Sequence, residues 1–232
     1  MMSIAENIAD IRAKMDLAAI KAGRDPKSVL LCAATKMNDS AAVRQAIAGG
    51  VDCCGENRVQ EMTVKLQENA YAGKPLHFIG HLQTNKVKQV VGKADLIQSV
   101  DSLHLLEAID KEAKRQGICQ NVLLQLNIAD EQSKSGFSEQ ALYGALEKIP
   151  SFGNIYVTGL MAIPPICRFS TENHKFFQKI YNLSVDITAK KYDNVRVDVL
   201  SMGMSGDFED AIACGSTMIR VGTAIFGPRN YR

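Results

Sequence analysis

Apolar residues in this chain fall into short continuous runs that alternate with longer segments where they recur every three or four positions. Ile4, Ile8, Ile11 and Met15 mark the first periodic segment and predict an amphipathic helix over residues 3–22, stopped near Gly23 and Pro26. The continuous runs predict eight strands. The first four are VLLCAAT (29–35), VDCCG (51–55), LHFIG (76–80) and LIQSV (96–100). The others are VLLQLN (122–127), YVTGLMAI (156–163), VDVLSMG (197–203) and TMIRVGTAI (217–225). Helical patterns occupy 39–49, 57–70, 84–91, 102–116, 138–148, 171–191 and 206–214.

Near-continuous apolar strands separated by helices are the mark of parallel βαβ units buried on both faces. Such units cross over right-handedly. Eight of them predict a single (β/α)8 TIM barrel spanning residues 1–232, with the first helix as an added layer. An open doubly wound sheet is the other arrangement, and the lack of a G-x-G-x-x-G after the first strand speaks against it. No linker or low-complexity stretch divides the chain, so one domain is expected.

Composition narrows the partners. With 27 basic and 25 acidic residues scattered along the chain, a net charge of +2 leaves no basic footprint for nucleic acid. The six cysteines form no C-x-x-C pair and sit largely in apolar segments, which points to reduced thiols and a cytoplasmic location. Glu6 and Asp10 interrupt the N-terminal segment, which does not read as a signal peptide. No apolar run approaches the length that spans a membrane. A monomer or weak homodimer is expected: Ile/Phe-rich surfaces would support a dimer, and burial inside the domain explains them equally well.

In a barrel of this kind, chemistry gathers where strands end and βα loops begin. Lys36 follows the first strand and Glu56-Asn57-Arg58 the second. His81 and Gln83-Thr84-Asn85 follow the third, and Asn127 ends the fifth. Ser201 and Ser205 follow the seventh, while Gly222 and Thr223 lie past the middle of the eighth.

Taken alone, Lys36 reads as a strand-end lysine reaching for water. A lysine amine in a confined site is also a nucleophile toward carbonyls, used by aldolases on substrates and by pyridoxal phosphate (PLP) proteins on the cofactor's aldehyde. Arg220 interrupts an apolar strand, where a guanidinium must be paired or hydrogen-bonded. Gly222 and Thr223 follow it, and loops at strands seven and eight often offer backbone N–H groups and hydroxyls to a phosphate. Ser201 and Ser205 add two hydroxyls, although Ser205 also reads as a helix N-cap with acids behind it. A lysine facing a phosphate nest suits a phosphorylated aldehyde held at both ends. His77 and His81 are four apart, but on a strand and its loop that spacing does not align them for a metal, and neither an acid nor a cysteine completes the set.

The ordered set T-K (35–36), GENRVQE (55–61), HFIGHLQTNK (77–86), N-x-x-x-E-x-x-K-x-G (127–136), GLMAIP (159–164) and LSMGMSGDFEDAI–GSTMIRVGTAIFG (200–227) closely resembles the PLP homeostasis proteins, the YggS/PROSC family. The resemblance implies a barrel like the N-terminal domain of alanine racemase, a fold-type III PLP protein. It implies that Lys36 forms a Schiff base with PLP and that Asn57 lies beside the ring near its hydroxyl. It further implies that Ser201, Ser205, Gly222 and Thr223 hold the phosphate, that Met202 packs near it, and that Arg220 donates to the pyridine nitrogen. Many family members carry a proline shortly after the lysine; this chain continues KMNDS, which changes the stiffness of that loop.

Three functions fit these residues: a PLP carrier or buffer in vitamin B6 homeostasis, a PLP-dependent amino-acid racemase, and a Schiff-base aldolase. An arginine is a donor only, so its pyridine partner stays unprotonated and is a weak electron sink. Racemases of this fold offset that with acid/base groups on opposite faces of the substrate, one of them a tyrosine from a second domain. Tyr231, among the last residues, is a poor candidate for that role. An aldolase does not call for an arginine beside a pyridine. Binding without robust catalysis is therefore the expected function, with apo PLP-dependent enzymes as possible recipients and no metal.

Overall fold

The computed structural model describes residues 2–129, 135–165 and 170–228. Eight parallel strands close into a barrel in chain order. They are β1 (Leu30–Ala34), β2 (Cys53–Glu56), β3 (Leu76–Phe78), β4 (Leu96–Val100), β5 (Gln120–Leu126), β6 (Ile155–Ala162), β7 (Val195–Ser201) and β8 (Met218–Val221). The helices are α1 (Ile4–Lys21), α2 (Ser40–Ala48), α3 (Val59–Gln67), α4 (Leu103–Gln116), α5 (Glu139–Lys148), α6 (Ser170–Lys190), α7 (Phe208–Ala213) and α8 (Thr223–Phe226). All eight predicted strands are present, and the closed barrel is the expected TIM fold. No helix among the described residues is long and apolar enough to cross a membrane.

The added helix has a clear local cause. Ser3 caps α1 through a reciprocal box: its hydroxyl accepts from the Glu6 N–H at 3.2 Å, while the Glu6 carboxylate accepts from the Ser3 N–H at 2.7 Å. Ile8, Ile11 and Met15 form its buried stripe. α1 packs on α2, α7 and α8, and the Asn7 amide donates to the Ile225 carbonyl at 2.9 Å. Because α8 is a single turn, α1 covers flank that a longer final helix would occupy.

Two predicted elements differ. The eighth strand ends at Val221 rather than continuing to 225, because the Gly222 carbonyl accepts from the N–H groups of Ile225 and Phe226 and turns the chain into α8. The helical pattern at 84–91 forms a 3-10 turn over Thr84–Gln89 instead of an α-helix. At the seam between β7 and β8 only Ser201 and Met218 pair in register. Bonds from Met202 N–H to the Met218 carbonyl, 3.1 Å, and from Thr217 N–H to the Leu200 carbonyl, 3.1 Å, extend it.

Candidate functional site

The approach to Lys36 is clamped from below. Thr35 is fully buried; its N–H donates to the Gly55 carbonyl at 2.9 Å and its hydroxyl to Glu56 Oε1 at 2.6 Å. Lys65 Nζ donates to the Thr35 carbonyl at 2.8 Å and to the same Glu56 oxygen at 2.5 Å. The Tyr71 hydroxyl adds a third donor to that oxygen at 3.1 Å, and burial pushes the Tyr71 phenol well above its usual range. A buried ion pair of this kind needs such extra hydrogen bonds to offset desolvation. Every polar backbone atom of Thr35 is thus committed, which fixes where the chain delivers Lys36.

Beyond Lys36 the loop is held without a proline. Met37 adopts φ 61°, a conformation closed to proline, whose ring holds φ near −65°. Its N–H donates to Glu61 Oε2 at 2.7 Å, and the Asn38 amide donates to the Lys36 carbonyl at 2.9 Å. Hydrogen bonds therefore supply the stiffness that the sequence left open.

Lys36 shares a pocket of about 230 Å³ with Gly222 and Thr223; Ala34, Met37, Asn38, Phe226, Gly227 and Pro228 complete its lining. Ser205 reaches the same corner, its hydroxyl accepting from the Ala224 N–H at 3.3 Å. It does not cap α7, as its place before the acids suggested. That helix starts at Phe208, and Asp207 instead accepts from the Met204 N–H at 2.6 Å. Met202 is buried, with its N–H spent on β8. The turn between them requires a glycine: Gly203 sits at φ 96°, and a Cβ there would lie 2.6 Å from Ala211 Cβ.

Arg220 is buried among donors and acceptors rather than beside a carboxylate. Its Nη1 donates to Ser201 Oγ at 2.6 Å and its Nη2 to the Ala162 carbonyl at 2.9 Å. Burial lowers its pKa to about 10, so it stays charged at neutral pH. Ser201 in turn donates to Gln98 Oε1 at 2.6 Å, and Gln98 Nε2 meets His77 Nδ1 at 2.8 Å. Both bonding directions of the Ser201 hydroxyl, expected from the sequence to face a phosphate, are engaged in this interior chain.

Asn57 lines a neighbouring pocket of about 240 Å³ with Ile79, Gly80, His81, Gln125, Asn127 and Ser135 among its walls. Its Oδ1 is buried and accepts from no described residue. Gly80 sets its backbone, since a Cβ at that position would lie 2.1 Å from the Asn57 carbonyl oxygen. His81 is paired with Asp101 at 3.0 Å on the rim, while His77 belongs to the interior, so the two histidines share no site. One expectation needs correction: cysteines do lie beside His77. Cys32 and Cys53 each bring a sulfur within 4.8 Å of a His77 ring nitrogen. Strand register, which the sequence does not display, brings them together. Glu131 and Lys134 of the fifth-strand motif, Cys167 and Tyr231 lie outside the described residues.

Residues 3–230 match the family described as alanine racemase, N-terminal domain. The pyridoxal phosphate homeostasis protein of Pseudomonas aeruginosa is 39% identical over 231 residues, covering 100% of this chain and 98% of that protein. The chain belongs to the pyridoxal phosphate homeostasis protein family. The family member from Escherichia coli is 38% identical over 234 residues, covering 100% of this chain and 99% of its own length. Among solved structures, PipY of Synechococcus elongatus with PLP bound superposes with a TM-score of 0.85 at 33% identity, over 97% of this chain and 100% of that one. An alanine racemase of Clostridium difficile shares the fold, with a TM-score of 0.73 at 15% identity over 97% of this chain and 57% of the racemase. Three of the stretches quoted from the sequence shape this site: GEN precedes α3, HFIG ends at Gly80, and RVGTAIFG supplies Gly222, Thr223, Phe226 and Gly227 to the pocket of Lys36.

Proposed function

We propose that this chain binds pyridoxal 5'-phosphate covalently through Lys36 and serves vitamin B6 homeostasis in the cytoplasm as a carrier or buffer, without robust catalysis. The observation that carries this reading is the shared pocket of Lys36, Gly222 and Thr223. Relatives named for PLP homeostasis, and PipY with PLP bound, support the choice of ligand.

The donor set suits that cofactor. A Cβ on Gly222 would stand 3.3 Å from the Ala34 carbonyl oxygen, tight against the end of β1. Asn57 Oδ1 is a buried acceptor that a ligand hydroxyl would satisfy. Bound PLP supplies an aldehyde that amines capture reversibly and a ring able to withdraw electrons. Lys36 provides the amine, on a peptide held by Asn38. The hydroxyls of Thr223 and Ser205 and the backbone at Gly222 receive the phosphate, while Met202 packs behind them. Arg220, aimed by Ser201 and Ala162, donates to the pyridine nitrogen. It stays charged at neutral pH and has no acceptor, so it keeps that nitrogen unprotonated.

Holding is favoured over turnover by the lining: Lys36 is the one titratable side chain among the described residues of its pocket, and His81, beside Asn57 in the neighbouring one, is engaged by Asp101. An amino-acid racemase needs two acid/base groups on opposite faces. Incubating PLP-loaded protein with a single enantiomer of alanine, and following chirality, separates the two. No change beyond the rate with free PLP is expected; turnover lost in Lys36→Ala would overturn the carrier reading. Transfer of PLP to an apo PLP-dependent enzyme, faster than from free solution, would support delivery to such partners.

A further inference from the structure

We propose that Cys32, Cys53 and His77, with the Met218 thioether beside them, form a binding site for a thiophilic monovalent metal ion, copper(I), inside the barrel. The three residues stand on successive strands β1, β2 and β3, and Cys32 and Cys53 are register partners. One ligand atom from each lies within 4.8 Å of the others. All are buried, at 0%, 2% and 7% exposure, so no competing water is needed to complete the set. Met218 packs in one cluster with the two cysteines.

Ligand chemistry selects the ion. Two thiols, an imidazole and a thioether are soft or borderline donors, and no carboxylate belongs to the group. Such donors suit copper(I), which is satisfied by few soft ligands, whereas zinc on two cysteines and one histidine completes its four-coordinate shell with a water, which this buried set does not offer. Charge agrees. Two thiolates and a monovalent ion leave one negative charge, and Arg220, the register partner of Cys32, supplies the buried positive charge to balance it. Binding exchanges the ion's previous ligands for the two cysteine sulfurs, the His77 nitrogen and the Met218 thioether; the two S–H bonds break and two protons are released, with no change of oxidation state.

The support around His77 is that of a ligand. Gln98 Nε2 lies 2.8 Å from His77 Nδ1 and 3.2 Å from Met218 Sδ, and Ser201 and Arg220 fix the far end of the same amide. With Nδ1 engaged, Nε2 is the nitrogen left for an ion. Ligation through Nε2 leaves the proton on Nδ1, so the Gln98 amide turns its carbonyl to that N–H and its Nε2 to Ser201 Oγ, which then accepts instead of donating. A carbonyl on the second nitrogen is the arrangement that orients ligating histidines.

The test is anaerobic titration of the full chain with copper(I), using bicinchoninate as competing chromophore, on PLP-loaded and PLP-free protein alike. The wild type should withdraw one equivalent in both forms, and X-ray absorption at the copper edge should show sulfur and nitrogen neighbours. Cys32→Ala and Cys53→Ala should each lose that equivalent, with folding checked by circular dichroism. Gln98→Leu should weaken binding about 10–100-fold. Cys119→Ser, at an exposed position, should leave it unchanged. Failure of the wild type to compete, copper ligated by oxygen, or an equivalent that survives in folded Cys32→Ala/Cys53→Ala would each overturn the site.

Discussion

Replacing Lys65 by methionine tests how the barrel delivers Lys36. The ammonium lies 2.5 Å from Glu56 Oε1 and 2.8 Å from the Thr35 carbonyl, and Glu56 is fully buried. Methionine keeps the length of the stem and removes the charge. Glu56 then holds an uncompensated buried carboxylate, a defect that costs about 3–5 kcal/mol. Donors that remain, the Thr35 hydroxyl at 2.6 Å and the Tyr71 hydroxyl at 3.1 Å, place the loss at the lower end, about 3 kcal/mol. In urea, with a slope of up to about 3 kcal/mol per molar, the unfolding midpoint should fall by about 1 M or more. Glu56→Gln in the same background removes the stranded charge and should restore a large part of the loss. PLP uptake at Lys36 should slow in Lys65→Met, because the Thr35 carbonyl loses its shorter donor and keeps the Asn38 N–H at 3.2 Å. A loss under about 1 kcal/mol, or a double variant no better than the single one, would refute the reasoning.

Gly80→Ala should destabilise the protein by about 1–3 kcal/mol and weaken PLP binding, since the new methyl meets the Asn57 carbonyl oxygen at 2.1 Å and only backbone movement can relieve it. Equilibrium unfolding and PLP titration check both effects. Arg220→Glu should shift the absorbance of bound PLP, because a carboxyl can share a proton with the ring nitrogen that a guanidinium cannot accept; an unchanged spectrum in folded protein would remove Arg220 from the ring. Burial pushes the Cys54 thiol up to about 12, leaving it protonated at pH 8, while Cys119 is exposed. Iodoacetamide at pH 8 should therefore label Cys119 well before Cys54, as peptide mass spectrometry would read.

The barrel was legible because its cause is local: each strand is a continuous apolar run, and each helix shows its own period and stops. Lys36, Gly222 and Thr223 were legible as polar or glycine residues placed where strands end. The course of β8 was less so, since VGTAI reads as strand until the Gly222 carbonyl turns it. Ser205 shows the same limit: its position before acidic residues suggests a cap, but its partner is an N–H across the site in α8. Ser201 looked like a rim hydroxyl, yet Gln98, on a strand remote in sequence, engages it from within. The buried pair of Lys65 and Glu56 arises from the way α3 folds back onto the end of β2, and the meeting of Cys32, Cys53 and His77 from strand register. Neither periodicity nor spacing along the chain encodes them.

The most direct measurement of the central claim is reductive trapping. Protein incubated with PLP is treated with borohydride, digested and mapped by mass spectrometry. One PLP-sized mass on the peptide that carries Lys36, absent from a folded Lys36→Ala variant, is the expected result. A protein that takes up no PLP, or carries the mass on a different lysine with Lys36 unmodified, would contradict it.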